Sequence, residues 1–239
     1  MKNNYDNARI ISTHRDDQGP RLMEVSIDCV VFGYSPSSLD VMLIEIGADD
    51  LKGAWALPGD RVYLDEDIDT AAERVLSDLT GLDNISLHQA HAFGDANRVP
   101  EKRVVTIGYY SVVNKLDVKP HPSSWANKAS WVSLDEIPQL TFDHNEIIEY
   151  ALQKLRHRIR NSNRRAPLWQ NVLPQHFTLT ELQRFYEVVL NQKFDKGNFR
   201  KKLNDMPYLV ETELYQEDVS HRPARLFTYD KKIHEELFV

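Results

Sequence analysis

The chain has 239 residues, a hydrophobic fraction of 41%, a charged fraction of 27% and a formal net charge of −7. That composition excludes wholesale disorder, and no run approaches the roughly 20 apolar residues of a membrane span. The single cysteine, Cys29, excludes an intrachain disulfide and argues against a cysteine-based zinc site. Taken whole, the negative charge also speaks against nucleic acid, but the charge is unevenly spread. Residues 1–152 carry 13 Lys and Arg against 25 Asp and Glu, whereas residues 153–239 carry 16 against 11. An acidic front and a basic back predict two domains with different partners.

Residues 1–20 read as a polar arm, and the absence of an apolar signal core there places the expected location in the cytoplasm. Glu24 to Phe32 reads as a strand and Val41 to Ile46 as its hairpin partner across the turn residues Tyr34 to Asp40. Trp55-Ala56-Leu57-Pro58-Gly59-Asp60 leads into a helix over 67–79, with Ile68, Ala71, Ala72, Val75, Leu76 and Leu79 on one stripe and Gly81 as its left-handed cap. Strands are expected at 88–94, 103–113 and about 129–132. Ser133 to Glu136 then reads as a helix entry with a capping box. A long helix over 143–160 follows, with Ile147, Ile148, Ala151, Leu152, Leu155 and Ile159 on its apolar side. Asp143 stands at its start, where a cap is the expected role.

The stretch 161–174 is polar, contains Pro167 and Pro174, and reads as a linker between a domain at 21–160 and another at 175–239. Thr178-x-x-Glu181 opens a helix as a capping box, a turn follows at 191–196, and Asn198 to Leu203 forms a short basic helix, the core of a recognition-helix candidate over 196–203. Two extended stretches, Tyr208 to Tyr215 and Ala224 to Tyr229, close the domain. Helix, turn, basic helix and two strands are the layout of a winged helix-turn-helix. Phe199 and Leu203 would anchor the basic helix to the core, leaving Lys196, Asn198, Arg200, Lys201 and Lys202 to face double-stranded DNA. Asn and Arg suit base edges and Lys suits phosphate. Arg222 and Arg225 fall in the wing. The plainer alternatives are a solvated basic patch or a protein-docking module.

The segment from Leu57 to Leu82 resembles the Nudix box, G-x5-E-x7-R-E-U-x-E-E-x-G-U, where U is bulky and apolar. Aligned on Gly81-Leu82, its first glycine falls on Asp60, its first glutamate on Glu66 and its arginine on Arg74. The three later acidic positions fall on Val75, Asp78 and Leu79. In Nudix hydrolases that helix face carries carboxylates for Mg²⁺, a hard ion that needs oxygen ligands. Val75 and Leu79 offer none, so no catalytic residue and no cofactor are expected. Glu66 and Asp78 are the carboxylates left for a weak metal. A box so altered fits a domain that keeps its pocket as a sensor. Arg61, Arg98 and Arg103 are candidates for a diphosphate, Trp55, Tyr109 and Phe142 for an adenine or ribose, and Asp143 for a polar contact.

A Nudix-like domain with a degenerate box followed by a winged helix is similar to the Nudix-related regulators of NAD metabolism, the NrtR type. Leu140 to His144 and His221 to Phe227 look like that family's sequence in particular. The resemblance covers roughly residues 20–230. It implies a mixed α/β sheet with flanking helices plus a C-terminal winged helix-turn-helix. It also implies a homodimeric repressor of NAD biosynthesis or salvage genes, with ADP-ribose or a related nucleoside diphosphate as effector. The competing expectation is a working ADP-ribose pyrophosphatase.

Overall fold

The computed structural model describes residues 23–47, 51–100, 102–122, 125–161, 166–220 and 222–238. The expected arm at 1–20 lies outside them, as do 162–165 of the expected linker.

Seven strands form one mixed sheet: β1 Glu24–Tyr34, β2 Leu39–Ile46, β3 Trp55–Ala56, β4 Gly59–Arg61, β5 His88–Phe93, β6 Val104–Asn114 and β7 Ala126–Ser133. β1 and β6 run parallel in unbroken register from Glu24 opposite Val104 to Tyr34 opposite Asn114. β1 and β2 pair directly only beside their hairpin, from Phe32 opposite Val41 to Tyr34 opposite Leu39. Further along, β3 pairs with β2 and β4 pairs with β1, so the short 55–61 segment enters the sheet between two diverging strands.

Strand alternation sends side chains to the two faces in turn. Ile27, Cys29 and Val31 of β1, Met42 and Ile44 of β2, and Tyr109 and Val113 of β6 are buried on one face. Helix α1, Ile68–Thr80, covers that face with Ala71, Ala72, Val75, Leu76 and Leu79. Asp67 caps it through Asp69 N and Thr70 N, and Gly81 ends it at φ 69°, so both expected termini are present. On the other face, Val30, Phe32, Val41, Leu43, Tyr110 and Val112 pack with helix α2, His144–Arg160, through Ile147, Ile148, Ala151, Leu155 and Ile159. The result is an α/β/α sandwich.

The C-terminal elements are α3 Leu179–Leu190, α4 Lys196–Leu203, β8 Leu209–Tyr215, β9 Arg225–Tyr229 and α5 Lys231–Phe238. The capping box on α3 is complete: Glu181 N donates to Thr178 Oγ1 at 3.1 Å and Thr178 N donates to Glu181 Oε2 at 2.7 Å. Phe177 and Phe227 exchange backbone hydrogen bonds of 3.0 and 2.7 Å, which ties the start of the helix pair to the wing. This unit is not separated from the sandwich by a bare linker. Leu168, Trp169 and Val172 are buried, and one cluster runs from Val30 and Phe32 through Ile148 and Leu155 to Leu182, Phe185, Phe199 and Leu203. Tyr34 of β1 meets Phe185 of α3 edge-to-face at 5.3 Å.

Two expectations about helix starts are corrected. The helix entry at Ser133 is only a 3-10 turn over Leu134–Glu136, with Ser133 Oγ accepting from Asp135 N and no reciprocal bond among the described residues. Asp143 takes the N-cap position of α2 but makes no side-chain cap bond, because its carboxylate is engaged elsewhere. Helix α5 was not expected.

Candidate effector cavity and nucleic-acid interface

The seam where 55–61 enters the sheet builds the candidate site. Gly59 pairs with Asp28, and a Cβ at Gly59 would strike the Asp28 carboxylate, so the close approach requires glycine. Asp28, buried at 5% exposure, has the parity of Val30 and Phe32 and points to the α2 face. Leu57 N, freed from strand pairing, donates to His144 Nδ1 at 3.0 Å. The other imidazole nitrogen, Nε2, stands 3.5 Å from Asp28 Oδ1. Burial holds the His144 pKa below its ordinary value, outweighing Asp28, so the ring is neutral with its proton on Nε2.

Arg98 completes the cluster. Asp95 shapes the turn before it, its carboxylate accepting from Asn97 N at 2.7 Å. The Arg98 guanidinium, 3% exposed, forks onto Asp143 with Nε–Oδ2 at 2.9 Å and Nη2–Oδ1 at 2.7 Å, and Nη2 lies 3.5 Å from Asp28 Oδ2. A planar fork of this kind matches carboxylate and phosphate alike. Arg98, Asp28 and His144 line a cavity of about 550 Å³, with Arg61, Lys102, Trp125 and Phe142 at its sides. That is the size of an ordinary small-molecule site.

Of the seven residues singled out for the effector, Arg61, Arg98 and Phe142 line this cavity, and Asp143 stands behind Arg98. Arg61 also pairs with Glu24 at 2.7 Å. Three residues do not line it. Tyr109 has the opposite strand parity, faces α1, and binds Asp69 and Gln89 there. Trp55 lies on β3, carries Lys128 over its ring and accepts from Thr141 N with its carbonyl. Arg103 is exposed and donates to the Asp95 and Val104 carbonyls. Asp28 and His144, which the sequence did not single out for the effector, also line the cavity. A charged residue within an apolar strand was the available signal for Asp28.

Among the described residues no group of three metal-ligating side chains gathers at the Nudix-box positions. Val75 and Leu79 are 0% and 1% exposed in the core, whereas Asp78 is turned away from them and its side chain is 54% exposed. Positions 75, 78 and 79 lie within an arc of about 100° on α1, with Val75 and Leu79 turned into the core and Asp78 at the solvent edge of that arc. Arg74 donates to both Glu66 oxygens, at 2.9 and 2.7 Å, and lies 3.8 Å from Asp60 and from Asp78. Its hydrogen bonds hold the Glu66 pKa down at about 2. The carboxylates at these box positions are thus drawn around the Arg74 guanidinium.

On the C-terminal unit, Phe199 and Leu203 are buried while Lys196, Asn198, Arg200, Lys201 and Lys202 are exposed along α4. Arg222 is exposed on the wing. Arg225 is committed within the wing hairpin, to Glu211 at 2.9 Å and to the Tyr215 hydroxyl at 2.8 Å.

Sheet, helices and cavity define a Nudix-type domain, and the elements after it define a winged helix. Comparison with known proteins agrees with both assignments. The NUDIX domain model matches residues 24–152, and the model of the NrtR DNA-binding winged helix domain matches residues 169–229. The ADPR responsive transcriptional repressor NtrR of Acinetobacter baylyi is 30% identical over 209 residues, spanning 86% of this chain and 81% of the relative. The crystal structure of Shewanella oneidensis NrtR complexed with a 27mer DNA is similar, with a TM-score of 0.69 at 25% identity, over 88% of this chain and 95% of that one. An ADP-ribose pyrophosphatase of Methanocaldococcus jannaschii is 28% identical over 109 residues, 46% of this chain and 63% of the relative. The chain belongs to the NrtR-type family of Nudix-related regulators. Among the described residues no helix is long and apolar enough to cross a membrane.

Proposed function

We propose that the chain is a cytoplasmic, homodimeric transcriptional repressor of NAD biosynthesis or salvage genes. Its Nudix-type unit (residues 21–160) senses ADP-ribose, and its winged helix (175–239) holds operator DNA until the effector binds. The observation that carries this reading is one chain joining two complementary surfaces. One is a cavity with a buried guanidinium fork. The other is an exposed helix whose Arg200, Lys201 and Lys202 have no ion-pair partner among the described residues. A relative named as an ADPR responsive repressor, aligned along both units, supports it.

In this reading Arg98 and Arg61 receive the diphosphate, Phe142 flanks a ring, and α4 enters the major groove. Arg200 and Asn198 meet base edges while Lys196, Lys201, Lys202 and Arg222 meet phosphates. Hydrolysis is not its work, because two of the three late acidic positions are core residues and the third is drawn to Arg74. The test is fluorescence anisotropy on promoter fragments of NAD genes, with and without ADP-ribose, beside a hydrolysis assay. Salt-sensitive binding that ADP-ribose weakens is expected. Turnover at the pace of a working pyrophosphatase, or operator affinity indifferent to saturating ADP-ribose, would refute it.

A further inference from the structure

Helix α2 begins unlike the other helices with a polar N-cap. Asp67, Thr178 and Asp195 are extended, with ψ of 167°, 156° and 129°, and each side chain accepts from an amide of its own first turn. Asp143 has the right residue type, yet its ψ is 20° and its carboxylate caps nothing. The residue before it, Phe142, sits in the left-handed region at φ 52°, which is unfavourable for an aromatic side chain. Both irregularities have one cause. Arg98 is buried and needs a counterion, Asp28 reaches it only at 3.5 Å, and the head of α2 is drawn out of cap geometry to supply a bidentate carboxylate.

We propose that Asp143 holds the place of the effector's diphosphate on Arg98, and that its displacement re-caps α2. This rests on the reading of the chain as an ADP-ribose sensor. One fork accepts one bidentate anion. A diphosphate entering the cavity takes the Nε and Nη2 donors, and the released Asp143 carboxylate turns to the amides of Asn145 and Glu146. The strained Phe142–Asp143 backbone then relaxes toward the conformation of the other caps. The far part of the same helix is fastened to the reader, since Arg156 Nε donates to the Val189 carbonyl of α3 at 2.9 Å. A change at the head of α2 is therefore delivered to the DNA-binding unit along a rigid rod, and Asp143 is a positioning residue with two discrete partners.

The test is Asp143→Asn, which removes the competing charge and keeps a good cap. Calorimetry should find ADP-ribose bound about fivefold tighter or more, and anisotropy should find operator DNA held correspondingly more weakly without effector. Adenosine, which lacks the diphosphate, should bind variant and wild type alike. A merely structural role would instead weaken both ligands together, and that result would overturn the proposal. A measurement on the wild-type chain guards against a misfolded variant: hydrogen exchange at the Asn145 and Glu146 amides should slow when ADP-ribose binds. Unchanged or faster exchange would overturn the re-capping step. A wild-type chain that binds no ADP-ribose at all would overturn the sensor reading and this proposal with it.

Discussion

Restoring the acidic box should break the protein rather than revive an enzyme. Val75 is 0% exposed on the face of α1 that, with Ala72 and Leu76, packs against Ile27 and Cys29 of β1. In Val75→Glu a carboxyl group enters that layer without a partner, and even protonated it costs about 3 kcal/mol with the lost fit of the valine. Burial also raises its pKa by several units above about 4.3. The folded state then binds the proton more tightly than the unfolded state, so stability falls as pH rises. The loss grows by about 1.4 kcal/mol per pH unit above the unfolded value until the folded pKa is reached. Urea unfolding at pH 5 and pH 8 should show a variant weakened at the first and far weaker, or unfolded, at the second. The double variant with Leu79→Glu should gain no Mg²⁺-dependent hydrolysis. A Val75→Glu protein as stable as wild type at pH 8 would refute the reasoning. It would mean that position 75 faces solvent and that the box was lost by simple substitution.

Two further outcomes follow from local geometry. Thr178→Ala removes the oxygen that accepts from Glu181 N at 3.1 Å and should lower stability by about 1 kcal/mol, read as a shifted denaturation midpoint with an unchanged slope. An unmoved midpoint would count against the capping box. Glu66, held at about 2 by hydrogen bonds from Arg74, contributes stability that is complete above pH 4.5 and is lost as pH falls toward 2. In Arg74→Met its carboxyl should titrate near the ordinary value by carbon NMR, and a pKa still near 2 would show that another group holds it.

Local signals made most of the elements legible. The capping box at Thr178 and Glu181, the glycine stop at Gly81 and the apolar stripe of 68–79 each depend on a few neighbouring residues, and each stands as read. The site was half legible. Arg98 and Phe142, named by residue type, line the candidate cavity, but which strand face a tyrosine occupies is settled only by register, and Tyr109 lies on the opposite side of the sheet. Asp28 and His144 escaped because they lie more than 100 residues apart and meet only where 55–61 enters the sheet. The role of Asp143 depended on a long-range partner that outcompeted its local one. The charge division near residue 152 was real, but it marked a change of surface and not a break in the core.

That unbroken core limits how such a protein can be rebuilt. Because Tyr34 and Leu39 of the sandwich pack in the same cluster as Leu182, Phe185 and Val189, neither unit is a module that can be lifted out with a dry surface. A reader exchanged for one of different operator preference must bring an apolar seat for the β1–β2 hairpin and for α2. One without that seat would leave Tyr34, Ile148 and Leu155 open to water. Changes of operator are therefore expected to accumulate on the exposed side of α4, where the side chains of Arg200 to Lys202 face solvent, while the pairing of the two units is inherited as a whole.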